Sequence, residues 1–144
     1  TLTRPPHSKL GIHPGMGASH FLPTIVGHAK ATELLLTGRT FGAAEAKKIG
    51  LINLLVEDDS RSGAEEGAVL KRAELLAEEI AANSPVAVRS CVSSLKLQQE
   101  DGMREALGRE ALHQSICYQR SDWAEGLDAV KGKRAPVFKP FGDK

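Results

Sequence analysis

The residues best suited to chemistry sit in a short glycine-rich loop, Gly11-Ile12-His13-Pro14-Gly15-Met16-Gly17. A Pro-Gly-x-Gly turn that leads into a helix leaves backbone N–H groups without intrahelical partners, and such donors suit a water molecule or an anion. Gly15, Met16 and Gly17 are therefore candidate substrate-binding positions. His13 and His20 flank the loop, but no carboxylate or cysteine lies at ligand spacing, so no metal site is expected. The second candidate is the basic segment Lys131-Gly132-Lys133-Arg134 with Phe138. It is either a surface for phosphate charges or a solvated charged terminus. No Walker loop, dinucleotide fingerprint or zinc spacing is present.

The elements that must position these residues are mostly helices. Residues 1–10 carry prolines and are expected to be extended or loose. A helix begins near Ala18. His28 to Leu36 forms another, with Ala29, Thr32, Leu35 and Leu36 on one side and Gly38 ending it. Ala43 to Ile49 is a short helix closed by Gly50, a residue suited to the left-handed cap position. Residues 51–56, Leu-Ile-Asn-Leu-Leu-Val, read as a short buried strand. After a polar connection at 58–63, helical spacing of Ala68, Leu75, Leu76 and Ile80 predicts a helix over 64–82. Asn83-Ser84-Pro85 stops it and starts the next, with Pro at the favoured first position and Val88, Cys91, Val92 and Leu95 on one face. A further helix spans Met103 to Gln119, and Ser121 caps a last one containing Trp123, Leu127 and Val130. The acidic runs Glu57-Asp58-Asp59 and Glu65-Glu66 read as solvated. The end after Gly132, with Pro136 and Pro140, is expected to be irregular.

The Gly11–Gly17 loop, then Leu36-Thr37-Gly38-Arg39-Thr40-Phe41 and Ala44-Glu45-Ala46-Lys47-Lys48-Ile49-Gly50-Leu51-Ile52-Asn53, together resemble the crotonase (enoyl-CoA hydratase/isomerase) superfamily in order, spacing and residue type. The resemblance continues to about Phe138 and begins in the middle of that family's domain. It implies a fold that is predominantly α in this chain: the C-terminal part of the α/β crotonase (ClpP-like) spiral over 1–58, then a helical trimerisation region over 59–144. It implies action on acyl-CoA thioesters by hydration or double-bond movement, with the CoA thioester as substrate and no separate cofactor. The family's oxyanion hole uses an Ala-Gly-Ala-Asp-like and a Gly-Gly-Gly-like segment, and residues 1–144 contain neither. The chain is thus expected to be a partial domain, inactive in isolation. The family's second catalytic glutamate follows a proline, four residues before the glycine that opens the loop. Here that position holds His7, after Pro6, either a general base or a solvated residue. Relative to Glu125-Gly126, Lys133 falls where hydratases carry a lysine for the nucleotide end of CoA, and Phe138 covers adenine or caps the last helix. Arg39 and Glu45 are expected to pair or cap as scaffolding.

Composition agrees with a globular protein. Hydrophobic residues make up 41%, charged residues 26% and aromatic residues 4%, so aliphatic and alanine packing must fill the interior. The net charge of +1 gives no general attraction to nucleic acid or acidic membrane, and no apolar run approaches a membrane span. Cys91 and Cys117 sit in helical patterns and read as buried small hydrophobes in a reducing compartment, cytoplasm or mitochondrial matrix. The expected partners are acyl-CoA and further copies of the chain, as a trimer or dimer of trimers. A helical assembly module and a non-catalytic acyl-CoA binder remain the alternatives.

Overall fold

With so few aromatic residues, the interior closes on alanine: Ala31, Leu34, Ala46, Ala106 and Ala129 are its buried apolar side chains. The computed structural model describes residues 7–56 and 67–139. The expectations for 1–6, for the polar connection and acidic runs at 57–66, and for 140–144 lie outside the described residues. Regular structure among those described is helical apart from one isolated bridge residue, Phe41. A one-turn 3-10 helix, His7–Leu10, comes first. It is followed by α1 (Ala18–Val26), α2 (His28–Thr37), α3 (Ala43–Lys48), α4 (Ala68–Ala81), α5 (Pro85–Glu100), α6 (Met103–Tyr118) and α7 (Ser121–Lys131). No helix among the described residues is long and apolar enough to cross a membrane.

The chain divides into two compact units. The first joins residues up to Ile52 with those from Gly102 onward. In it α1 packs against α2 and α6, the 3-10 turn packs against α7 and α2, and α6 meets α7. Residues 7–10 are therefore not loose. Gly11 N–H donates to the Ser8 carbonyl at 3.2 Å and Ile12 N–H to that of His7 at 3.1 Å. Two glycines then permit a backbone-to-backbone approach. A methyl on Gly126 of α7 would lie 2.3 Å from the Leu10 carbonyl oxygen, and one on Gly11 would lie 2.5 Å from the Asp122 backbone.

Four local expectations are corrected. In α2 the buried face is Ala31 and Leu34, while Ala29 and Thr32 are exposed and Leu36 is 74% exposed. The 3.6-residue period was right and its phase was displaced, because Leu34 to Leu36 form an unbroken apolar run that does not reveal which member faces inward. Residues 51–56 form no strand. Gly50, at φ 77°, turns the chain so that the Leu51 and Ile52 amides both donate to the Ala46 carbonyl. The α3 carbonyls thus take donors that a strand would give to a neighbouring strand. The residue before α7 is Arg120, with no side-chain capping bond, and Ser121 is already the first helical residue. Cys91 is exposed and Cys117 only half-buried.

The second unit, Asn53 to Asp101, explains the exposure of Cys91. Ser84 accepts the Ala87 N–H at 3.5 Å and Pro85 opens α5, as its sequence requires. Asn83 Nδ2 donates to the Glu79 carbonyl at 2.8 Å and closes α4. Neither α4 nor α5 contains a buried residue, so Leu75, Ile80, Val92 and Leu95 stand exposed.

The glycines give a paired prediction. Gly126→Ala drives a methyl into backbone that cannot step aside and should destabilise by about 1–3 kcal/mol or more. Gly108→Ala, in α6 with nothing within 4 Å of its new methyl, should stabilise by roughly 0.5–1 kcal/mol. Urea denaturation of both variants checks the opposite signs.

Candidate functional site

The Pro14–Gly17 loop is held by a carboxylate from the far end of the sequence. Gly17 is the residue before α1 and sits at φ 79°, with no side chain to cap the helix. Glu110, on α6, does so instead. Its Oε2 accepts the Gly17 N–H at 2.7 Å, and its Oε1 accepts the Ser19 N–H at 2.8 Å and the Ser19 hydroxyl at 2.5 Å. The side chain is 2% exposed. Burial raises the carboxyl pKa. The Ser19 hydroxyl and the Ser19 and Gly17 amides outweigh that effect, with His13 adding to them, and Glu110 stays below its ordinary value. A negative charge at a helix start is also where the helix dipole favours it.

This bond divides the three loop candidates. The Gly17 N–H is committed to Glu110, and Gly17 must remain glycine because a methyl there would meet the Phe21 ring at 2.8 Å. Gly15 is buried under the Gln114 amide, whose Nε2 donates to the His13 carbonyl at 3.1 Å. Met16 is 80% exposed in a left-handed conformation, φ 58°. The Gly15 and Met16 amides are the loop donors left without a hydrogen-bond partner among the described residues. His13 lies beside the loop, its ring stacked on His113 of α6 at 5.2 Å between centroids. No group of three potential metal ligands occurs among the described residues.

His7 opens the 3-10 turn and is half-buried. Its neighbour Ser8 has a buried hydroxyl with no hydrogen-bond partner among the described residues. An unmade bond of that kind costs about 1–3 kcal/mol, an unusual expense beside a candidate proton-transfer residue.

The basic segment is differentiated by its pairings. Helix α7 ends as the Gly132 N–H donates to the Asp128 carbonyl, Lys133 N–H to Val130 and Arg134 N–H to Ala129. That is the pattern of a left-handed helix stop, in which the residue at φ > 0 is usually glycine. Lys133 occupies it, at φ 50°. Arg134 is bound to Glu125 at 2.5 and 2.8 Å, and Lys131 lies 3.7 Å from Asp128. Lys133 is the one cation of this segment without an ion-pair partner among the described residues. Phe138 is exposed at 37%.

The Arg39 cluster proves structural. Arg39 donates to Glu33 at 2.7 Å and to Glu45 at 2.9 Å, while Lys30 also pairs with Glu33. Hydrogen bonds to Lys30 and Arg39 lower Glu33, those to Arg39 lower Glu45, and the two carboxylates raise Arg39. This fastens the end of α2 to α3, where Ala46 is fully buried.

Sequence reasoning missed Glu110, Gln114 and His113. The signal was available: Glu110 lies four residues after buried Ala106 and four before Gln114, so a charge stood on the inward stripe of α6.

Comparison with known proteins gives the same address. Residues 4–140 match the family model described as enoyl-CoA hydratase/isomerase. The chain is 36% identical over 133 residues to a probable enoyl-CoA hydratase of Mycobacterium bovis, covering 92% of this chain and 49% of that protein. It is 35% identical over 122 residues to a short-chain-enoyl-CoA hydratase of Clostridioides difficile, covering 85% of this chain and 74% of that one. Among solved structures, an enoyl-CoA hydratase/isomerase from Pseudoalteromonas atlantica superimposes with a TM-score of 0.76 at 27% identity, over 94% of this chain and 52% of the other. The chain spans about half the length of most of the curated relatives it matches.

Glu110→Gln tests the tertiary cap. The new NH2 must face either the Gly17 N–H or the Ser19 donors, so one buried donor loses its acceptor at a cost of about 2 kcal/mol or more. The lowered carboxyl pKa sets the sign with pH. The parent's advantage is complete above the ordinary value of 4.5 and is lost as pH falls through the lower folded value. Thermal melts of parent and variant at pH 7 should therefore differ most, and the gap should close on acidification.

Proposed function

The chain belongs to the enoyl-CoA hydratase/isomerase family, and on that premise we propose that it serves an enzyme acting on enoyl-CoA thioesters, by hydration or double-bond isomerisation. In this reading residues 1–58 end the spiral core and 59–144 form the helical region. The observation that carries CoA binding is Lys133, a cation without an ion-pair partner among the described residues, held at φ 50° where glycine would be easier. A left-handed lysine costs about 1 kcal/mol. Strain of that kind is retained where a side chain has a task, and a phosphate contact suits this one. Phe138 then covers the adenine. At the other end of the ligand, the Gly15 and Met16 amides face the reacting water or the thioester, and His7 is the residue able to carry a proton. The compartment is a reducing intracellular one.

The apolar faces of α4 and α5 support assembly into homo-oligomers, with a trimer as the proposed state. A sedimentation experiment that found only monomer at micromolar concentration would reject it. Because residues 1–144 contain neither family oxyanion segment, the isolated polypeptide should not hydrate crotonyl-CoA. Measurable turnover by homogeneous protein of verified mass contradicts this.

Lys133 is tested by two substitutions. Lys133→Ala should weaken CoA binding and flatten its dependence on salt, because a screened phosphate contact is lost. Lys133→Gly should weaken binding equally yet raise stability by roughly 1 kcal/mol, by relieving the backbone. Lys71→Ala, on α4, is the control. Equal CoA affinity for all four proteins in calorimetric titration removes Lys133 from the site.

A further inference from the structure

We propose that Glu125 is a positioning residue that fixes Lys133 for CoA; the proposal rests on the reading of Lys133 as a phosphate contact. Glu125 lies on α7, and its carboxylate reaches the segment beyond the helix at two points. Arg134, the residue after Lys133, donates to it at 2.5 and 2.8 Å. The Val137 amide, immediately before Phe138, donates to it at 2.7 Å. The bonds to this one carboxylate thus lie between the two CoA-binding candidates, one beside each. Without that tie the segment is an exposed stretch beyond a helix end, and a ligand would have to order it at the expense of affinity.

The same carboxylate sets the local charge. The Arg134 bonds, with help from the Val137 amide, bring Glu125 down to about 2, so it is ionised throughout the neutral range. The charge of Arg134 is thereby compensated, and Lys133 is the cation of residues 131–134 without an ion-pair partner among the described residues. Position and charge make opposite demands here, and that opposition makes the proposal testable.

Glu125→Gln removes a negative charge and releases Arg134. If the segment were only a basic patch, CoA would bind more tightly and with a steeper salt dependence. If Glu125 positions Lys133, CoA binding should weaken by roughly threefold or more, despite the added positive charge. Introducing Glu125→Gln into Lys133→Ala should then cause a smaller loss than in the parent, because the part of the effect that passes through Lys133 is already gone. The experiment is calorimetric titration of CoA into the parent, both single variants and the double variant, with circular dichroism showing that each is folded. Equal or tighter binding by Glu125→Gln, or the same loss in both backgrounds, overturns the proposal. A parent that binds no CoA overturns the underlying reading, and this proposal with it.

Discussion

The Glu110 carboxylate is the interaction on which the first unit depends. A helix start presents amide groups that need acceptors, and a glycine at the residue before α1 provides none. Glu110 supplies them from α6, across 91 and 93 residues of sequence. One bond network therefore closes the unit, caps α1 and fixes the shape of the Pro14–Gly17 turn. It also consumes the Gly17 donor. What remains for a ligand is the pair of amides one and two residues earlier, held rigidly because their neighbour is anchored.

A second carboxylate repeats the device at the surface. Glu125 gathers Arg134 and the Val137 amide, while the adjacent Gly126 lets α7 lie directly on the Leu10 backbone. The two neighbouring residues thus meet different partners of α7. Gly126 sets the register of the 3-10 turn that carries His7 into the Gly11 loop. Glu125 sets the segment that carries Lys133. A shift of α7 would disturb both ends of the candidate site together.

Much of this was legible in the sequence. Helix positions followed from Pro85, Gly38, Gly50 and the apolar positions of α4, α5 and α7, because these depend on local backbone preferences. The glycine loop and Lys133 were singled out through the resemblance to the family's motifs. What failed was information carried by partners. The phase of α2 depended on what it packs against. The strand at 51–56 needed a neighbour to accept its amides, and its amides turned to Ala46 instead. The face of α5 around Cys91 needed a cover to be buried. Glu110 was overlooked because one charge on a helix usually points to water, and only its alignment with Ala106 and Gln114 marked it otherwise. Glu125 served as a landmark in the sequence, yet its hold on Val137 exists only once the chain has folded back.

In the proposed binding mode the anchored Gly15–Met16 amides and the Lys133–Phe138 segment receive two ends of one CoA thioester. Backbone amide NMR during titration with a non-hydrolysable acyl-CoA analogue tests it most directly. Saturable shifts are expected at Gly15, Met16, Lys133 and Phe138 with one common dissociation constant, and none at Lys71. Saturable shifts confined to α4 and α5, or no saturable shifts at all, would contradict it.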